Sequence, residues 1–272
     1  MSILYKFRDW ENEFHKNILR KCELFIPSPL ALNDPFDCQV TENLYLLVDD
    51  MKINKFIDLQ IEILELPKNT PETKTLKENL YKRINEERDV LQQEIDEFSI
   101  DRLDKRTGVL SLSTKWNSIL MWGHYSNSHK GFCIGFDSEY LDSCGLFNKG
   151  GLITYSNDYP QIDPTLDDII ELSFLQTHTK SDLWSYESEY RYNKIFPNSP
   201  SVQERILMID LNGIKEIILG INFPINDIKE IVEISKKNKI ELYQTKKKPY
   251  KFELVREKIA YTQSSRSPLS KT

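Results

Sequence analysis

The chain has 272 residues, a net charge of -6, and 39% hydrophobic against 29% charged residues. This suits a soluble globular protein with a sizeable core and excludes one that coats nucleic acid over its whole surface. No apolar run approaches the roughly 18 to 20 residues of a membrane span, and Met1 to Arg8 lack the apolar region and cleavage site of a signal peptide, so a cytoplasmic address and no membrane partner are expected.

In chain order, Ile3 to Phe7 reads as a strand and Glu11 to Lys21 as a helix with Phe14, Ile18 and Leu19 on one face. Glu23 to Pro29 is a strand stopped by its prolines, and Asn33-Asp34-Pro35-Phe36-Asp37 is a turn whose polar side chains satisfy local backbone groups. From about 49 to 105 the chain becomes charged, rich in Leu and Ile and free of glycine, and Pro67 to Pro71 divides it into two helices, a hairpin inserted beside the main fold. Val109 to Ser113 alternates apolar and hydroxyl residues as a strand with one polar face does. Ser113 or Thr114 is placed to cap the next helix, with Trp116 in its first turn.

Phe132 to Asp137 and Leu152 to Tyr155 follow as strands, Asp167 to Thr179 as a helix, and Tyr190 to Phe196 as a strand. Further strands at Ile206, Ile214 to Leu219 and Ile240 to Gln244 enclose a helix around Ile225 to Asn238. Lys246-Lys247-Lys248-Pro249-Tyr250-Lys251 reads as a solvated basic turn, and 263–272 as a disordered tail. The fold class is therefore α+β, with a mixed, mainly antiparallel sheet, in a single domain over 1–262 that carries the helical insertion at about 49–105.

Two motifs do not fit an ordinary core. Met121-Trp122-Gly123-His124-Tyr125 runs on to His129-Lys130-Gly131, and Trp184-Ser185-Tyr186-Glu187-Ser188-Glu189-Tyr190-Arg191 follows later. Trp and Tyr join a large apolar body to one polar tip and so line half-buried pockets, where a neighbouring carboxylate acquires a perturbed proton affinity. His124 and His129 lie five apart, off the i, i+4 spacing of a helical metal pair. Cys22, Cys38, Cys133 and Cys144 are scattered with no Cys-x-x-Cys, so neither zinc nor a disulfide framework is expected.

With Tyr5-Lys6-Phe7-Arg8, Asn33-Asp34-Pro35-Phe36 and Leu110-Ser111-Leu112-Ser113, these motifs make the chain resemble the bacterial domain of unknown function numbered twenty-nine seventy-one, over residues 3 to about 250. The order Arg8, Ser111-Leu112-Ser113, Glu187-Ser188-Glu189 is also similar to the Arg-Ser-Glu class of ADP-ribosyltransferases, although Ser-Leu-Ser stands where Ser-Thr-Ser is common.

The second resemblance implies an ADP-ribosyltransferase fold and NAD-dependent transfer to a macromolecular acceptor, protein or nucleic acid, as a toxin or antiphage effector would perform it. It implies catalytic roles for Glu189 at the transition state and Glu187 at the acceptor, the pair being usable if the segment is extended. Contacts to NAD fall to Arg8, Tyr5, Ser111, Ser113, His124 and Tyr125, with NAD as substrate and no metal. The alternatives are a metal-dependent nuclease built on Asp34, Asp37, Glu187 and Glu189, and a nucleotide-sensing or interaction module without turnover.

Overall fold

A computed structural model describes residues 2–260; the tail at 263–272 and the end of the 1–262 domain lie outside the described residues. Strand β1 (Ile3–Arg8) leads into helix α1 (Glu13–Arg20), opened by Asn12, whose side chain accepts from the Phe14 amide. Strand β2 (Glu23–Phe25) follows. The inserted region holds three helices, α2 (Asp50–Ile63), α3 (Pro71–Glu86) and α4 (Arg88–Arg106), not the expected two-helix hairpin. Thr70 and Pro71 start α3, and the continuous apolar pattern from Leu80 to Phe98 hides a break at Glu87, whose φ of -133° and ψ of 34° leave helical geometry. Their cluster of Leu44, Ile53, Phe56, Ile57, Ile84 and Leu91 is separate from the main core.

Strand β3 (Thr107–Ser113), helix α5 (Ile119–Tyr125), strand β4 (Phe132–Asp137) and helix α6 (Ser138–Ser143) come next. Ser118, not Ser113 or Thr114, caps α5, which leaves Trp116 outside the helix. The single strand expected at Leu152 to Tyr155 is two: β5 (Lys149–Leu152) and β6 (Thr154–Ser156) pair in different sheets. Helix α7 (Ile169–Thr177), strands β7 (Thr179–Ser181), β8 (Glu189–Ile195), β9 (Ile206–Met208) and β10 (Ile214–Leu219), helix α8 (Ile228–Asn238) and strands β11 (Glu241–Lys247) and β12 (Leu254–Lys258) complete the described chain.

The main sheet has the order β12-β11-β10-β4-β1-β3-β8-β5, parallel only between β10 and β11. The fold is thus mixed α+β around a mainly antiparallel open sheet. One face buries Leu4, Leu110, Leu112, Phe132, Ile134, Phe136, Ile217 and Leu242 under α1, α6 and α8. On the other, Tyr5, Phe7 and Cys133 pack beneath Met121 and Trp122 of α5, with Phe7 edge-on to Trp122 at 5.1 Å.

The sheet is not uniformly closed. β1 pairs with β4 along its full length, from Ile3 opposite Asp137 to Arg8 opposite Phe132, yet meets β3 at only Tyr5 opposite Ser113. Beyond that point the two central strands diverge. Lys6 reaches across the gap and donates from Nζ to the Ser111 carbonyl at 2.6 Å, where a ladder bond would otherwise form.

Candidate functional site

The divergence of β1 and β3 opens a cleft of about 230 Å³. Of the residues expected at the site, Tyr5, Arg8, Ser111, Ser113, Tyr125, Glu187 and Glu189 line it. His124 does not. It lies one position before Tyr125, about 100° further round the helix axis, and is exposed, with its ring beside Tyr125 and Tyr186 at 6.4 and 6.1 Å.

The acidic pair comes from a kinked segment, not an extended one. Glu187 ends a 3-10 turn, Ser188 is left-handed at φ 46°, and Glu189 starts β8. That kink turns both carboxylates toward one ammonium: Lys180 Nζ donates to Glu187 Oε2 at 2.6 Å and to Glu189 Oε2 at 3.3 Å. Ser113 Oγ donates to the Glu187 carbonyl at 2.6 Å and Thr114 N to the Ser188 carbonyl at 2.9 Å, so the end of β3 fixes the kink. Ser113 is completely buried in this task; it positions Glu187 and offers no free hydroxyl to the cleft.

Beneath the carboxylates lies Arg191, fully buried. Its Nε donates to Glu189 Oε1 at 2.6 Å, and its two terminal nitrogens grip Asp37 Oδ1 and Oδ2 at 2.7 and 2.5 Å. A further bond runs to the Thr177 carbonyl at 2.6 Å. Such forked, charge-assisted bonding is what makes a buried guanidinium tolerable. Asp37, Lys180, Glu187, Glu189 and Arg191 therefore form one network, reaching Tyr125, whose hydroxyl donates to Glu187 Oε1 at 2.6 Å.

The two glutamates differ in proton affinity because their partners differ. Burial raises Glu189, but Arg191 and Lys180 override it and hold the carboxylate at about 2, with help from the Ser111 hydroxyl. At Glu187 burial wins over Lys180 and Tyr125, and its pKa is raised. One is held ionised, and the other takes up a proton more readily than a free glutamate.

Facing them across the gap are two cations on one side of β1. Burial, then neighbouring Arg8, push Lys6 well down, and burial alone brings Arg8 down to about 10. No carboxylate supports Arg8 in that balance, unlike Arg191. Arg8 is half-buried with no carboxylate partner, which leaves its guanidinium open to an anion. Behind them a second hollow of about 420 Å³, edged by Phe14, Asn17, Phe25 and Val202, shares Lys6, Arg8 and Pro27 with the cleft.

Lys6, Asp37, Lys180 and Arg191 were not among the expected contacts to NAD. Lys6 was within reach, since i and i+2 on a strand share a face with Arg8. Arg191 stands in the same relation to Glu189, and the two form a fully buried ion pair. Lys180 carried no signal, because only the tertiary fold brings β7 beneath the acidic pair. Asp37, Glu187 and Glu189, enlisted for a nuclease metal, are committed to Lys180 and Arg191. Among the described residues no group of three or more His, Cys, Asp or Glu is arranged to hold a metal ion.

Residues 121–192 match the family described as "Protein of unknown function (DUF2971)". This is narrower than the span of 3 to about 250 read from the motifs, and includes Tyr125, Lys180, Glu187, Glu189 and Arg191 but not β1 or β3. Comparison with curated proteins and with solved structures returns no match, so the likeness to ADP-ribosyltransferases gains no support from relatives.

Proposed function

We propose that the cleft between β1 and β3 binds NAD and transfers its ADP-ribose to a macromolecular acceptor. The observation that carries this reading is the meeting of Arg8, which has no carboxylate partner, with Lys6, the Ser111 strand, Tyr125 and the Glu187-Glu189 pair around one cleft, from segments far apart in sequence. At about 230 Å³ the cleft alone falls below the roughly 300 to 1,000 Å³ of small-molecule pockets. The hollow behind, which shares Lys6 and Arg8 in its lining, would supply the remaining room for a dinucleotide.

In this reading the pyrophosphate lies against Lys6 and Arg8, supplying the counter-charge that Arg8 lacks. The nicotinamide ribose enters beside Tyr125 and Glu187, and the adenosine enters the hollow at Phe14 and Phe25. The bond from the ribose C1′ to the nicotinamide nitrogen breaks, and nicotinamide leaves with the electron pair. Ionised Glu189 offsets the positive charge that develops on the ribose. The acceptor forms a new bond to C1′, and its proton passes to Glu187, the carboxylate whose proton affinity is raised.

The test is release of nicotinamide from NAD in the presence of mixed protein, RNA and DNA. Wild type releases it, and Glu187→Gln loses roughly 10²- to 10³-fold in rate with its fold intact. Absence of release and of NAD binding by wild type with every acceptor class refutes the proposal.

A further inference from the structure

On the far side of α5 from the cleft, the chain carries a feature that the transfer reading does not use. The hairpin joining β11 to β12 presents Tyr250 and Phe252 at 106% and 101% exposure, more than any other large apolar side chain among the described residues. Single exposed apolar residues are ordinary, but two wholly solvated rings two residues apart on one hairpin are less so. Tyr250 is also left-handed at φ 59°, where glycine or asparagine fits with less strain.

Four lysines frame these rings. Lys246 pairs with Glu257 at 2.6 Å and Lys248 with Glu253 at 2.8 Å. Lys247 and Lys251 have no carboxylate within ion-pair distance among the described residues. The hairpin therefore keeps free positive charge on a chain that is acidic as a whole.

Beneath it opens a cavity of about 800 Å³, lined by Ile119, Ile221 and the hairpin, with polar groups at its floor. His129 Nδ1 there is buried without a hydrogen-bond partner. Asn222 spends its amide nitrogen on the Ser128 carbonyl at 3.3 Å, leaving its oxygen for a ligand.

We propose that the β11–β12 hairpin and the cavity beneath it bind single-stranded nucleic acid, with bases stacking on Tyr250 and Phe252, phosphates meeting Lys247 and Lys251, and a base edge reaching Asn222. Aromatic platforms interleaved with lysine are how proteins hold single strands without strong sequence preference. A duplex keeps its base faces stacked inside and fits poorly. An anionic lipid surface would also attract lysines and aromatic rings, but it makes no use of a concavity with a free amide oxygen at Asn222. The proposal stands apart from the transfer reading and survives its failure.

Fluorescence anisotropy with a labelled oligothymidylate and a labelled oligouridylate, each about twelve nucleotides long, tests it on the full chain. Binding is expected with a Kd of about 1 to 100 µM at low salt. Tyr250→Ala and Phe252→Ala each weaken it roughly 5- to 150-fold. Replacing Lys247 and Lys251 with alanine lowers the slope of log K against log salt by roughly 1.4. All four side chains are exposed, so thermal unfolding of each variant should match wild type. Failure of both oligonucleotides to bind wild type overturns the proposal. So does binding that the ring variants leave unchanged, or binding only to phosphatidylserine vesicles in a parallel sedimentation assay.

Discussion

Glu189 is held ionised by Arg191 and Lys180, and stability should record it. Its pKa of about 2 in the fold, against about 4.5 when free, corresponds to roughly 3 kcal/mol of stability. Because the folded value is the lower one, that contribution is present above about pH 4.5 and is lost as pH falls toward 2. His178 acts in the window above: burial holds it neutral, with a pKa of about 4, while the unfolded chain protonates near 6.5, so stability declines between pH 6.5 and 4. Urea midpoints measured from pH 7 to 3 should record both losses, set against an opposing gain as Glu187, whose folded pKa is raised, takes up its proton. Glu189→Gln should flatten the lower part of that profile and cost about 3 kcal/mol at pH 7, since Arg191 then loses a buried partner; His178→Gln should reduce only the upper part, because His15, also pushed to about 4, remains. An unchanged profile in both variants would contradict these charge assignments. The sequence made the carboxylates legible as a pair, because one spacer residue separates them in an aromatic setting. It did not reveal their difference, which comes from Lys180 and Arg191 and so from tertiary contact.

At the scale of elements, the site depends on how α5 returns the chain to the sheet. Asn127, Ser128 and His129 are all left-handed, at φ 49°, 54° and 66°, a conformation costing roughly 1 to 2 kcal/mol per residue. The turn then delivers Gly131 to a place where a Cβ would lie 2.0 Å from the Arg8 carbonyl oxygen. Gly131→Ala should therefore displace β1 from β4, lower stability by at least about 3 kcal/mol and alter the cleft. Gly123 offers the opposite case, since it sits within α5 with open space at the Cβ position. Gly123→Ala should raise stability by about 0.5 to 1 kcal/mol. Thermal melts of both variants check the pair, and equal effects would show that this crossing is not as tight as described. Most strands and helices were legible from alternation and caps, whereas the divergence of β1 from β3 was not. Nothing in Tyr5 to Arg8 or Val109 to Ser113 announces that two good strands meet at a single residue pair, because that depends on Lys6 reaching the Ser111 carbonyl. The break between α3 and α4 escaped for a related reason, since Glu87 is an ordinary helix former by composition.

For the whole molecule, the account requires that the cleft and the hollow behind it act as one ligand site joined at Lys6 and Arg8. Both cations are depressed by burial, so an anion bound between them should raise their proton affinity. Lys6→Met should then weaken NAD binding measured by calorimetry, and Arg8→Ala should weaken it roughly tenfold or more. The most direct measurement is a single comparison of nicotinamide release from NAD by wild type, Glu187→Gln and Arg8→Ala, each shown to be folded and each supplied with protein, RNA and DNA acceptors. The account expects release by wild type, its loss by at least about a hundredfold in Glu187→Gln and by about tenfold or more in Arg8→Ala. Wild type that leaves NAD intact with every acceptor, or variants as active as wild type, would contradict it.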